Sequence, residues 1–184
     1  MKITDCRLRL LIQEELTRDK EPLKIISVEH LPAPNKWGDR DLIHMLVDLG
    51  PLEELPTGKI PGFTRHLLKV IPSLQDHRCS YGERGGLTRR MTEDEGTWMG
   101  HVLEHVAIEI QCLQGDDVSF GRTRSAGPKG QYNVWFECID PALGIAAGHA
   151  ARALLMQTID ACGVSVQVFS GRPDVLGHLI YSDF

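Results

Sequence analysis

Long hydrophobic runs are missing from this 184-residue sequence, which contains no stretch of about 18 consecutive apolar residues. We therefore expect no membrane-spanning helix. Residues 1–19 mix charged residues among leucines and lack the apolar core and cleavage site of a secretory signal. The sequence also lacks a Gly-x-x-x-x-Gly-Lys phosphate loop, so we expect no ATP-driven ligase activity from this chain alone.

Positive charge is not in excess, and this narrows the function classes further. The formal net charge is −5, which argues against a protein that binds nucleic acid by neutralising phosphates. The five cysteines are an odd number and include no Cys-x-x-Cys spacing. This usage predicts reduced thiols and a cytoplasmic location.

The overall composition is that of an ordinary globular protein, because 42% of the residues are hydrophobic and 24% are charged. The length fits one domain. We expect residues 1–163 to form that domain and residues 164–184 to form a closing strand and a C-terminal tail.

Hydrophobic periodicity predicts the secondary structure. Alternating apolar residues favour strands, whereas apolar residues three or four apart favour helices. Strands are predicted over residues 24–31, 41–49, 118–123 and 131–138, and helices over 61–71, 98–114 and 141–161. A weaker strand is predicted at the start of residues 6–15, and residues 73–86 are predicted to form a loop. We expect an α+β fold in which an antiparallel sheet packs against two or three helices as a two-layer sandwich.

The helix predicted over residues 98–114 carries the pattern His101-x-x-Glu104-His105. We expect Thr97 to cap its N-terminus. One helical turn separates the two histidines, so both lie on one face with Glu104 beside them. Two neutral imidazoles suit a zinc ion, and an adjacent carboxylate can take a proton from metal-bound water. The order is the inverse of the commoner zinc-protease motif, although two histidines that only pack at the edge of a core give the same pattern.

Several longer motifs of the sequence resemble the N-terminal domain of cyanophycin synthetases. They run from about Leu23 to Leu155 and are more specific than the histidine pattern alone. They include Pro34-Asn35-x-Trp37, Ile60-Pro61-Gly62-Phe63, His77-x-Cys79-Ser80-x-Gly82-x-Arg84-Gly85-Gly86, Glu95-Gly96-Thr97-x-Met99-Gly100-His101, Gly121-Arg122-Thr123-Arg124 and Tyr132-x-Val134. Full synthetases of this kind also contain an ATP-grasp ligase and a Mur-ligase-like module, which this sequence lacks.

The resemblance implies a domain that handles cyanophycin, a poly-aspartate backbone with an arginine on each side chain. In that family the domain holds the growing polymer. In some members the domain resembles a pitrilysin-type metalloenzyme, whose metal centre would cut the polymer into shorter primers. His101 and His105 match the family's metal-binding histidines, and Glu104 matches its general base. We therefore expect a zinc-dependent hydrolase of cyanophycin-like polymer, in which Glu104 activates zinc-bound water for attack on an amide.

The third zinc ligand stays open. Glu109 lies eight residues past His101, about 12 Å along a straight helix, and is too far from a zinc held by His101 and His105. We expect Glu109 instead to orient His105 through a hydrogen bond. The candidates for the third ligand are Glu137 as first choice, and His77 or Cys79 as alternatives.

Arginine residues are candidates for binding the polymer, because each polymer unit presents one guanidinium and one free carboxylate. We expect Arg84, Arg122 and Arg124 to bind carboxylates through bidentate pairs. Arg122 is also expected to stabilise the oxyanion that forms when an amide is attacked. The alternative for each arginine is a solvated surface charge. We favour this alternative for Arg84, and the binding role for Arg122 and Arg124.

Two other functions remain open at this point. One is a non-catalytic cyanophycin-binding module of a synthetase, and the other is a metallopeptidase that acts on different charged peptides. Stoichiometric zinc would argue against the first, and preference for the polymer would argue against the second. In each case we expect a charged polypeptide as partner, with neither nucleic acid nor a membrane, and the ligase domains of a synthetase as further candidate partners.

Overall fold

Four antiparallel strands form the main sheet of this protein, whose computed structural model describes residues 22–79, 82–165 and 180–181. The strands are β1 (Lys24–Leu31), β2 (Leu42–Asp48), β3 (Gly121–Ser125) and β4 (Gln131–Glu137). Their order across the sheet is β1-β2-β4-β3, so β1 and β3 form opposite edges. A separate two-stranded sheet pairs β5 (Val164–Ser165) with β6 (Ile180–Tyr181).

Helices cover one face of the main sheet. They are α1 (Phe63–Val70), α2 (Gly86–Thr92), α3 (Met99–Gln114) and α4 (Pro141–Ala161), with 3₁₀ turns at Gly50–Glu54, Thr57–Lys59 and Pro72–Asp76. Helices α3 and α4 pack against each other, α3 also contacts β3 and β4, and α4 contacts β2. This arrangement confirms the predicted α+β sandwich with an antiparallel sheet. Among the helices of the described residues, none is both long enough and apolar enough to cross a bilayer.

The core lies between the sheet and helices α3 and α4. Alternation along β2 buries Ile43, Met45 and Val47 completely, on the face that the helices cover. Glycines let α4 approach this face closely. A Cβ atom added to Gly144 would lie 2.8 Å from Cγ1 of Ile43, and one added to Gly148 would lie 2.6 Å from the sulfur of Met45. This close packing agrees with the small residues seen in the helix sequence.

Helix α3 is the most deeply buried element of the fold. Between Met99 and Gln111, every residue except His101 is buried. The helix ends at Gly115, which adopts a φ of 108° that favours glycine, as the sequence predicted. Its N-terminus differs from the prediction, because Trp98 occupies the capping position and makes no side-chain capping bond. The hydroxyl of Thr97 contacts the ring of His101 instead, so the prediction that Thr97 caps the helix was wrong.

Other boundaries differ only locally from the predictions. The helices predicted over residues 61–71 and 141–161 are present as α1 and α4, whereas the strand predicted from residue 118 begins at Gly121. Helix α2 was not predicted, because a seven-residue segment with two buried apolar side chains, Leu87 and Met91, gives almost no periodic signal. The weak strand predicted in residues 6–15 and most of the predicted tail lie outside the described residues.

Candidate functional site

A cavity of about 660 Å³ is lined by the first half of α3, by edge strand β3 and by the loops around them. His101, Glu104 and His105 all line this cavity, so the three residues of the sequence motif face one common space. The side chain of His101 is partly exposed, whereas Glu104 and His105 are 5% and 7% exposed. The cavity is therefore the space in which the side chains of the motif could contact a ligand.

Cys79 joins the two histidines in a compact group of possible metal ligands. One donor atom from each of Cys79, His101 and His105 lies within 4.8 Å of the other two. The Sγ atom of Cys79 is 3.3 Å from Nε2 of His101. Ligand atoms of a tetrahedral zinc site lie about 3.6 Å apart, given Zn–S and Zn–N distances of about 2.3 and 2.1 Å. The three side chains thus have the donor chemistry and the spacing of a metal site.

His101 is held by the residue that precedes the helix. Its Nδ1 atom lies 2.8 Å from the hydroxyl oxygen of Thr97, which is itself 2% exposed. When Nδ1 donates its proton to this hydroxyl, the lone pair of Nε2 remains on the side of Cys79. With its proton on Nδ1, the ring thus presents Nε2 as a possible metal ligand.

His105 is held by a chain of polar side chains on the other side of the group. Its Nδ1 atom lies 3.2 Å from Nδ1 of His77, and Nε2 of His77 lies 2.6 Å from a carboxylate oxygen of Glu109. The hydroxyl of Ser73 donates to the other carboxylate oxygen. If a neutral His77 donates to Glu109, its Nδ1 accepts from His105, and Nε2 of His105 is left with a lone pair.

This chain changes the role predicted for Glu109. The sequence argument placed a direct hydrogen bond between Glu109 and His105, whereas the structure inserts His77 between them. Burial alone would raise the pKa of Glu109, but the hydrogen bonds from His77 and Ser73 outweigh it and lower the pKa. Glu109 is therefore an ionised acceptor that acts on His105 through a second ring.

Burial keeps both histidines of the motif neutral. It lowers the pKa of His101 to about 4, with a smaller contribution from the positive charge of Arg90. It also lowers the pKa of His105 well below its usual value, and the neighbouring His101, His77 and Arg90 lower it further. Neutral imidazoles bind metal ions without first losing a proton.

Glu104 lies against edge strand β3. Its carboxylate accepts a hydrogen bond of 2.6 Å from the hydroxyl of Thr123. A Cβ atom on Gly121 would lie only 2.6 Å from Cγ and Oε1 of Glu104, so the absence of a side chain at position 121 makes room for the carboxylate. Burial raises the pKa of Glu104 to about 7, although the Thr123 hydrogen bond and the charge of Arg122 oppose the shift.

Four arginines line the cavity, and the sequence predicted two of them. Arg122 and Arg124 come from β3, as predicted, while Arg78 and Arg90 had not been singled out. The guanidinium carbon of Arg122 lies 4.8 Å from the ring centre of Trp37, a cation–π contact that fixes its orientation. Arg90 donates to the sulfur of Cys79 over 3.3 Å.

No sequence signal pointed to Arg78 or Arg90. Arg78 stands between His77 and Cys79 in a segment without periodicity, and Arg90 lies on helix α2, which was itself not predicted. Arg78 lies between two possible metal ligands in the sequence, but this position alone does not indicate a polymer-binding role.

Two of the predicted site residues are engaged elsewhere. Arg84 forms a bidentate pair with Asp76, at 2.7 and 2.8 Å, and does not line the cavity. The carboxylate of Glu137 accepts hydrogen bonds from the backbone amides of Ser119 and Phe120, at 2.9 and 3.0 Å. Glu137 is absent from the possible ligand group of the described residues, and Cys79, one of the alternatives, stands in that group.

Curated proteins similar to this chain are cyanophycin synthetases. The enzyme of Synechocystis sp. is 46% identical over 140 residues, which are 75% of this chain and 16% of the relative. The enzyme of Crocosphaera subtropica is also 46% identical over 140 residues, with the same coverage of both chains. The enzyme of Trichormus variabilis is 43% identical over 140 residues, which are 75% of this chain and 15% of the relative.

The names of these relatives correct the expectation of a metal-dependent hydrolase. All three are named synthetases, enzymes that join units rather than cut them, and the chain spans only 15–16% of their length. The matching part is too small to carry the whole activity of a relative to this chain. The prediction that this chain is a hydrolase was therefore wrong.

A family comparison agrees with the resemblance that the sequence motifs carry. Residues 44–160 match the model of the cyanophycin synthase-like N-terminal domain, and this range includes α3, β3, β4 and nearly all of α4. All three residues of the Cys79, His101 and His105 group fall inside it. The chain therefore belongs to the family of cyanophycin synthase-like N-terminal domains.

Proposed function

We propose that this domain binds cyanophycin-type polymer in the cavity beside α3, in association with the ligase domains of a synthetase. The names of its relatives link the family to cyanophycin. The observation that carries the proposal is the set of arginines Arg78, Arg90, Arg122 and Arg124 around one cavity, since guanidiniums form bidentate pairs with carboxylates. A poly-aspartate chain with arginine on its side chains offers a free carboxylate at every unit.

A zinc ion held by Cys79, His101 and His105 is the second part of the proposal. One thiol and two neutral imidazoles form a donor set that zinc commonly takes, with a fourth position left for another oxygen or nitrogen. When bound there, zinc supplies a positive charge and a coordination position for an oxygen atom of the polymer. Thr97 and the His77–Glu109 pair support this assignment, because they lie on the Nδ1 side of the two rings and can accept a proton there, directly or through His77, which leaves Nε2 to the metal.

Neither Arg84 nor Glu137 belongs to the proposed site. The guanidinium of Arg84 is already paired with Asp76, and the carboxylate of Glu137 is already bound by two backbone amides. Arg122 and Arg124 keep the carboxylate-binding role predicted for them.

Binding of soluble, fluorescently labelled polymer fragments, followed by anisotropy, tests the proposal. We expect saturable binding to the purified protein. Arg124→Glu should weaken it by about tenfold or more, because the change removes one charge-assisted pair and adds repulsion. Arg89→Glu is the matched control, since Arg89 is exposed on α2 and does not line the cavity.

Two results would contradict the proposal. One is the absence of saturable binding by the wild-type protein at low salt. The other is an equal loss of affinity in Arg124→Glu and Arg89→Glu, which would indicate attraction by the general surface charge rather than binding in the cavity.

A further inference from the structure

The cavity is strongly unbalanced in charge. Among the described residues, its lining includes the four guanidiniums of Arg78, Arg90, Arg122 and Arg124 and a single carboxylate, that of Glu104. The chain as a whole carries a net charge of −5, so this local excess of positive charge runs against the overall balance. A concentration of one sign inside a concave site attracts ligands of the opposite sign.

The four guanidiniums are also unpaired within the described part of the chain. None of them forms an ion pair with a carboxylate there, whereas Arg40 and Arg84 pair with Glu137 and Asp76. The four guanidiniums can therefore pair with carboxylates of a ligand, although Arg90 also donates to the sulfur of Cys79.

Arg122 gives the most direct sign of a missing anion. Its Nε atom is buried and has no hydrogen-bond partner among the described residues. Its guanidinium carbon also lies 4.8 Å from the centre of the Trp37 ring, a contact that favours this orientation. A buried donor without an acceptor costs free energy until an acceptor reaches it.

The chemistry of the polymer then distinguishes two kinds of unit. A unit that carries arginine presents one guanidinium and one carboxylate, and its net charge is zero. A bare aspartate unit presents its carboxylate alone. Guanidiniums of the ligand would meet four guanidiniums of the cavity, whereas bare carboxylates would pair with them.

We infer that this cavity binds aspartate units that do not yet carry arginine more tightly than it binds the arginine-bearing units of the same polymer. This inference rests on the proposed polymer-binding function and names the part of the polymer that is bound. A cavity of about 660 Å³ has the size of an ordinary ligand pocket and holds a short segment of the chain.

Two labelled ligands of equal backbone length test the inference: oligo-aspartate, and the same oligomer with arginine on every side chain. We expect oligo-aspartate to bind the wild-type protein about tenfold or more tightly, as expected for at least one additional charge-assisted pair. Its affinity should fall steeply between about 50 and about 200 mM salt. Arg78→Gln combined with Arg124→Gln should remove most of the preference, whereas Arg89→Gln should leave both affinities unchanged.

The outcomes separate this inference from the proposed function. If the arginine-bearing oligomer binds as tightly as oligo-aspartate or more tightly, the inference fails and polymer binding stands. If neither ligand binds, both fail. A preference for oligo-aspartate that survives in the double variant also overturns the inference, because the cavity arginines would then not be its cause.

Discussion

His77 lies between Glu109 and the histidine that Glu109 was expected to orient. Its Nε2 atom is 2.6 Å from a carboxylate oxygen of Glu109, and its Nδ1 atom is 3.2 Å from Nδ1 of His105. This arrangement extends the familiar carboxylate–histidine–metal sequence by one ring. The proton positions of the two rings are therefore coupled, and when a neutral His77 donates to Glu109, Nε2 of His105 is the nitrogen left available.

Zinc affinity should depend on this chain. We expect Glu109→Gln to weaken zinc binding by about 10- to 100-fold, because an amide can donate to His77 and favour the wrong tautomer of both rings. The affinity is measured by competition with a chromophoric chelator. Glu29→Gln is the control, since Glu29 is exposed on β1 at the opposite edge of the sheet from the cavity. Wild-type affinity in both Glu109→Gln and His77→Gln would show that the chain has no influence on the metal.

Cys79 should bind the metal directly. Cobalt(II) bound to the wild-type protein is expected to show thiolate-to-metal charge-transfer absorption, and Cys79→Ser should lose it. The same substitution should lower zinc affinity more than Glu109→Gln does, because it removes a ligand rather than a supporting group. Cys162→Ser, at the end of α4, should bind cobalt with an unchanged spectrum. A charge-transfer band that persists in Cys79→Ser would exclude Cys79 as a ligand.

Stability should depend on pH through Glu104. Its pKa is about 7 in the folded protein, against 4.5 for a glutamate side chain in an unfolded chain, so folding favours the protonated form. This contribution to stability is fully present below about pH 4.5 and is lost as the pH rises through about 7. The shift corresponds to about 3 kcal/mol. Relative to wild type, Glu104→Gln should therefore gain stability by about this amount as the pH rises from about 4.5 to about 8.

Urea denaturation of both proteins in the presence of a chelator measures this difference. The chelator matters because a bound cation next to Glu104 would change its pKa. Histidine titration contributes to both proteins and cancels in the comparison. A difference in the free energy of unfolding that stays constant over this pH range would show that Glu104 is ionised in the folded state throughout.

Two glycines of α4 should respond differently to alanine. A Cβ atom at position 144 would lie 2.7 Å from Cβ of Cys138 and 2.8 Å from Cγ1 of Ile43, both close to the backbone. We expect Gly144→Ala to destabilise the fold by about 1–3 kcal/mol. At position 148 the nearest atoms belong to the flexible end of Met45, which can turn away. Gly148→Ala should therefore cost less, and equal or reversed losses in urea denaturation would refute this account.

The motif residues of the site could be predicted from the sequence because they lie on a regular element. Helical periodicity alone places His101, Glu104 and His105 on one side of α3. The third member of the group comes from an irregular segment, so Cys79 appeared only as an alternative to Glu137. Spacing in a loop carries no information about where its side chains point.

Glu137 shows why strand residues were harder to assign. Its strand was predicted, and in the structure it pairs with Leu42 of β2. Its carboxylate, however, binds the backbone of Ser119 and Phe120, because the chain entering β3 wraps around the end of β4. Pairings between distant segments of this kind are decided by tertiary packing. Tertiary packing likewise leaves Leu113, an apolar residue of α3, 41% exposed.

The bare backbone at Gly121 offers a way to move one acidic group without replacing it. A methyl group at this position would collide with the side chain of Glu104 at 2.6 Å, while φ at position 121 imposes no left-handed conformation. Gly121→Ala thus displaces the carboxyl group and leaves it able to ionise, whereas Glu104→Gln removes its ionisation in place. Used together, the two substitutions distinguish the effect of the position of the Glu104 carboxyl group on stability and binding from the effect of its charge.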